Sequence, residues 1–445
     1  MADMSPFQDD TTTPPAPTGS ADPLAVFRHD RLPSWALVHR RIDRTEIDDI
    51  DAAVADAIGA VAGLLPSSGR ACIALGSRGI DRIAEVARAT VDVLRARGLD
   101  VFAIPAMGSH GAATADGQLA VLASLGITPQ SIGCEIRSSM DTVQIGVVED
   151  GIPVFVDRHA FEEADVVIPV NRVKPHTDFT GPVESGLLKM IAIGLGKQRG
   201  ADTFHGEGFD TFHRLIPAVA AFTLGNVPIP FGLALVENGH ARLRLIEAVS
   251  ADSMYEREQS LLREADSSLA RLPVDALDVL ILDRIGKDIS GLGMDSNVVG
   301  RYYSGPTGRP PLIQRIVVRD LTDETEGNAV GIGMADVVLR PAVERMDRAK
   351  TYMNCVTAKT PEGARIALTV DTDRQALDVA VACCIKVEPE RARIVRILDT
   401  KHLEWLLASE PLLEELVATG TCDIAGPVAP IGFDDDGRFT DALPG

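Results

Sequence analysis

Two periods of apolar spacing organise the first half of the chain. "ACIALG" (71–76) is a continuous apolar run closed by the loop "SRGID", which predicts a buried strand. "RIAEVARATVDVLRARG" (82–98) puts Ile83, Val86, Val91 and Leu94 on one helical face and ends on glycine, which predicts an amphipathic helix. The strand "DVFAIPA", the loop "MGSHGAAT" with Thr114 as a helix cap, and the helix "DGQLAVLASLG" follow. Strand, helix and strand in this order make a parallel pair with a crossover, hence an α/β sheet. "ADVVIPV" (164–170) adds another short strand.

A second α/β region begins near Ala276 with the strand "DVLILD" and the glycine-rich loop "RIGKDISGLGMDSN". It continues with the strands "RIVVRD" and "ARIALTV" and the helices "DRQALDVAVACCI" and "KHLEWLLASEPLLEELVA". The acidic segment before it, "SADSMYEREQSLLREADSSLARLP", reads as a surface helix, and residues 423–445 read as irregular. A chain of 445 residues exceeds one ordinary core. The expected organisation is a disordered tail over 1–22, an N-terminal α/β domain over 23–272 and a C-terminal α/β domain over 273–445. Both sheets are expected to be mainly parallel, with the active site in the cleft between the domains.

Composition narrows the function classes. A formal net charge of -21 repels phosphate backbones and anionic membranes, so neither is expected as a partner. The six cysteines form no CxxC, which fits free thiols in a reducing compartment, and Cys383 and Cys384 read as buried structural residues in an apolar helix. No secretory signal is evident and a cytoplasmic location is expected. "IPAVAAFTLGNVPIPFGLALV" has nearly the length of a membrane span, but its prolines and glycines divide it into a helix end, a turn and a strand.

In parallel sheets, ligands gather where loops leave the carboxyl ends of strands. Arg78, His110 and His176 all sit on such loops. Gly108 and Gly111 flank His110, where glycine serves either a close ligand approach or a tight turn. Lys189 lies among Leu187, Leu188, Met190 and Ile191; its ammonium either snorkels to water or becomes a nucleophilic amine through desolvation. His205 is a candidate metal ligand, and Lys287 in the second glycine-rich loop is a candidate for gripping a carboxylate. His159, His213 and His240 lack comparable loop context and read as structural.

Together, "GSHG", "KPH", Lys189 and His205 resemble the nickel-pincer lactate racemase family, over most of residues 70–210 and more loosely beyond. The resemblance implies that His110 and His176 are the acid/base pair and that Lys189 carries a pyridinium-3-thioamide-5-thiocarboxylic acid mononucleotide through a thioamide. It further implies that His205, sixteen positions after Lys189, completes the nickel site of this nickel-pincer nucleotide. Arg78 then contacts substrate and cofactor, Gly108 and Gly111 flank the cofactor side, and Lys287 assists with the substrate carboxylate. The implied reaction is inversion of a 2-hydroxy acid through transient hydride transfer, with cofactor-biosynthesis proteins as partners. "GPVESGLL" and "GSRGID" depart from the family pattern on the substrate side, leaving the substrate and the choice between racemisation and epimerisation open. Rival readings are a metal-free Schiff-base lyase on Lys189, a hydrolase with a metal on His110, His176 and His205, and a noncatalytic cofactor-binding protein.

Overall fold

The structure is a computed structural model that describes residues 24–444 apart from Arg78, Asp178 and Ser304, with backbone only at Asp150, Gly305 and Pro306. The expected tail over 1–22 and the assignment of Arg78 therefore lie outside the described residues. Two mixed sheets, the six-stranded one mainly parallel and the nine-stranded one parallel over half its pairings, organise an α/β architecture.

The six-stranded sheet runs, edge to edge, Glu135–Ile136, Leu99–Pro105, Gly69–Leu75, Val166–Arg172, Phe231–Glu237 and Leu243–Ser250. All its pairings are parallel except the last. Period two explains why its centre is apolar throughout: Cys72 and Ala74 face Leu187, Leu188 and Ile191, while Ala71, Ile73 and Leu75 face Val86, Val91 and Leu94. Both faces are thus covered, and each fully buried Leu or Ile contributes about 1.5–3 kcal/mol. The predicted helix spans Ile83–Ala96, buries Ile83, Val86, Val91 and Leu94, and stops before Gly98 at φ +89°. Thr114 caps the helix Ala115–Ser124 by accepting from the Gly117 amide at 3.0 Å.

The nine-stranded sheet has a parallel half, Leu368–Val370, Val337–Leu339, Leu312–Val318, Ala276–Leu282 and Ile394–Ile397. Its antiparallel half holds Trp405–Ser409, Ser34–Arg40, Cys422–Ile424 and Ala429–Pro430. The strand Ser34–Arg40 thus joins the sheet built from the chain's other end. The stretch "KHLEWLLASEPLLEELVA", expected to be one helix, is a strand over Trp405–Ser409 followed by a helix over Glu410–Ala418. Pro411 in the helix's first turn marks the break, and pairing on both sides decides the apolar "WLLAS" in favour of strand. The strand expected over "ARIALTV" is confined to Leu368–Val370.

The buried reading of the adjacent cysteines is corrected. The helix Asp373–Ala382 ends just before them, so Cys383 is exposed and Cys384 half-buried, its thiol directed at the Ala380 and Asp278 carbonyls. The long apolar segment divides as expected into the helix Phe212–Leu224, a turn and the strand Phe231–Glu237. No helix among the described residues is long and apolar enough to cross a membrane.

Candidate functional site

Gly69–Leu75 is flanked by Leu99–Pro105 and Val166–Arg172, with Leu75 in register with both Pro105 and Val170. The loops carrying His110 and His176 consequently leave the same sheet edge on either side of Ser77. His110 is exposed and its Nδ1 contacts the Ser77 hydroxyl. Gly108 takes φ +60° and donates its amide to the Gly194 carbonyl at 3.3 Å, which seats the loop on the segment following Lys189. Gly111, at φ +67°, serves the tight turn into the next helix, since a Cβ there would lie 2.4 Å from the Gly117 backbone.

Lys189 ends the short helix Leu187–Lys189 and is followed by a wider π-type turn over Met190–Gly194. Such turns recur at functional sites because they displace side chains from regular helical register. Leu187, Leu188, Met190 and Ile191 are buried while Lys189 is half-buried, with its Nζ against Nε2 of His176 and 5.5 Å from the Phe179 ring centre. His176 lies 4.4 Å, ring to ring, from Phe179. Its backbone amide donates to the buried Glu184 carboxyl at 2.6 Å, and its carbonyl accepts from Asn297 Nδ2 at 3.2 Å. Burial raises the Glu184 pKa, opposed by the amides of His176 and Gly181. The Ser296 hydroxyl donates to the Thr177 carbonyl at 2.7 Å, and Lys174 approaches Asp295 at 3.6 Å. The "DSN" end of the second glycine-rich loop therefore holds the His176 loop in place.

His205 is half-buried on the helix Lys197–Glu207, packed at 5.5 Å from Phe209 and 5.8 Å from Phe212. Burial, and after it the charges of Lys189 and Lys359, lower its pKa, which favours the neutral imidazole that a metal binds. Its buried Nδ1 has no hydrogen-bond partner among the described residues. Lys359 closes this end by donating to the His205 carbonyl at 3.1 Å. Lys287 is directed differently: its ammonium donates to the Gly291 carbonyl of its own loop at 2.7 Å.

Lys189 contacts His176 and its charge reaches His205, the His110 loop is seated on the segment after Lys189, and the Lys287 ammonium is directed to the Gly291 carbonyl of its own loop. Among the described residues no three His, Cys, Asp or Glu side chains gather to hold a metal. The Nδ1 of His205, without a hydrogen-bond partner among the described residues, is a nitrogen free to serve as a metal donor.

Sequence reasoning missed Glu258, on the helix Met254–Ser268 that was expected at the surface. This fully buried carboxyl accepts from the Leu187 and Leu188 amides at 2.7 and 3.0 Å, capping the helix that bears Lys189. Gly186 is required beside it, since a Cβ would come within 2.4 Å of the carboxyl. Burial pushes the Glu258 pKa up from 4.5 to about 7. Between these values the unfolded chain has released this proton and the folded chain retains it, so Glu258 lowers stability as pH rises, by about 3 kcal/mol in full. Urea denaturation should show Glu258→Gln abolishing this part of the decline between pH 5 and 8, leaving the variant more stable than wild type at pH 8.

No protein-family model matches the chain, and no curated protein matches it. Among solved structures the chain is similar to the lactate racemase apoprotein from Thermoanaerobacterium thermosaccharolyticum, with 12% sequence identity and a TM-score of 0.47, covering 83% of this chain and 99% of that one. A likeness this remote leaves function to the residues of the chain itself.

Proposed function

We propose that the chain carries a nickel-pincer mononucleotide on Lys189 and inverts the C2 configuration of a 2-hydroxy acid, as a racemase or epimerase. The observation that carries this reading is the contact of the Lys189 amine with the His176 imidazole, the Lys189 charge also reaching His205 and helping to lower its pKa. When bound, such a cofactor supplies a nickel ion and a reversible hydride acceptor. Lys189 is its covalent anchor, and Glu258 and the buried leucines fix the direction of that anchor. His205 offers its imidazole to the metal.

His110 and His176 handle the hydroxyl proton. The two enantiomers present their hydroxyls on different sides of C2, so two bases are required and each histidine serves one. Ser77 orients His110, while Glu184 and Asn297 hold the backbone of His176. Arg78 and Lys287 take the substrate carboxylate. For Lys287 this means exchanging the Gly291 carbonyl for the substrate. Gly108 lets the His110 loop lie against the cofactor-bearing segment, and Gly111 shapes its turn. Cofactor-biosynthesis proteins in the cytoplasm supply the loaded form.

The test offers cofactor-loaded protein a panel of enantiopure 2-hydroxy acids deuterated at C2. Inversion with deuterium retained is expected, because a hydride returns to the carbon it left. Inversion with deuterium lost to solvent would mean proton abstraction at carbon and defeat the proposal.

The contact between Lys189 and His176 also favours a second reading, a Schiff-base lyase in which His176 deprotonates the amine before it attacks a carbonyl. Borohydride would then trap substrate on Lys189 in metal-free protein.

A further inference from the structure

Lys197 belongs to none of the roles above, yet it is among the most deeply placed charges in the molecule. Its side chain and that of Asp157 are both 0% exposed, and they pair at 3.0 Å. An ammonium has three hydrogens to place. Besides Asp157, the Lys197 Nζ donates to the Pro105 carbonyl and, at 3.3 Å, to Gln118 Oε1. All three partners come from different elements: the strand Pro153–Asp157, the end of Leu99–Pro105 and the helix Ala115–Ser124.

The Gln118 amide passes the connection on. Its Nε2 donates to the Gly108 carbonyl at 2.9 Å and to the His110 carbonyl at 3.3 Å. Pro105 is the last residue of the strand from which the same loop departs. Lys197 therefore touches the root of the His110 loop directly and its tip through one intervening side chain. In sequence it stands between Lys189 and His205, opening the helix that carries His205. It takes φ +52°, a left-handed conformation unusual for a side chain with a Cβ. Gly196 before it packs close, since a Cβ there would lie 2.9 Å from the Gly200 backbone.

Stability alone is a poor reason for this arrangement. Desolvating two charges costs several kcal/mol, and well-packed apolar pairs of similar volume often replace a buried ion pair without loss. Full burial also denies Lys197 any contact with substrate. We propose that Lys197 is a positioning residue, which through Pro105 and Gln118 locks the His110 loop to the segment bearing Lys189 and His205. Its catalytic meaning rests on the role proposed for His110, whereas the network itself is testable without any cofactor.

Two variants separate positioning from mere stability. Lys197→Met with Asp157→Asn removes both buried charges while keeping the side-chain oxygen that caps the Ala160 amide at 3.0 Å. Gln118→Leu leaves the ion pair with Asp157 intact and cuts the link to the loop together with the Lys197 bond to Gln118 Oε1. In each folded variant the Gly108 and His110 amides should exchange with solvent about tenfold faster. The ring-nitrogen resonances of His110 should move as its contact with Ser77 loosens, while amides of Ala276–Leu282 in the other sheet keep their wild-type rates. Wild-type exchange and wild-type His110 resonances in both variants would overturn the proposal, and if the double variant does not fold, Gln118→Leu decides alone. These readouts use cofactor-free protein, so failure of the racemase reading in the deuterium test leaves them interpretable.

Discussion

Lys189→Arg should yield folded protein that carries no covalent mononucleotide and turns over 2-hydroxy acids at least ~10³-fold more slowly than the loaded wild type. Arginine retains a cation on a stem of similar length, so the packing of Leu187 and Leu188 and the cap from Glu258 have no reason to change. What it loses is an amine that can be deprotonated and acylated. His176 faces that amine directly, so the substitution acts where the proposal concentrates its chemistry. Mass spectrometry and the racemisation assay on one preparation check both halves. A Schiff-base lyase would also lose activity, but its wild-type chain would carry no mononucleotide to begin with.

The second large effect divides the two histidines. His110→Asn and His176→Asn should each lower kcat/KM by roughly 10²–10⁴, the usual loss when a general base is removed. At a racemase equilibrium the forward and reverse values are tied to a constant of unity, so each variant must slow both directions equally. The asymmetry appears in a single turnover. Loaded His110→Asn should still oxidise one enantiomer to its 2-keto acid, and His176→Asn only the other. Acid quenching and 2-keto acid quantitation reads this directly, and equal yields from both enantiomers in either variant would rule out one base for each.

The features legible in the sequence were those with a local signature. Continuous apolar runs marked the buried strands, glycine-bounded amphipathic spacing marked the helix Ile83–Ala96, and the same spacing placed the loops of His110 and His176 at strand ends. Long-range pairing left no such mark. Ser34–Arg40 joins a sheet whose other strands come from the second half of the chain, and "WLLAS" became a strand only because it has neighbours on both sides. Buried charge was hidden for a related reason. Lys197 stands in "GKQRG" and Glu258 in "MYEREQ", stretches whose polarity resembles a solvated face. Only the fold reveals that one side chain from each points inward to hold a backbone segment of the site. Lys287 shows the reverse, since its glycine-rich setting drew notice while the ammonium is directed into its own loop.

In the proposed function Lys189 and His205 together hold a nickel-bearing mononucleotide. Intact-mass analysis with nickel quantitation tests it most directly, on protein made in cells that also express the cofactor pathway. The account predicts an added mononucleotide mass localised to Lys189 and a single nickel per chain, with the metal lost in His205→Ala. An unmodified, nickel-free chain from cells in which a known lactate racemase is loaded would contradict it and bring the Schiff-base enzyme forward.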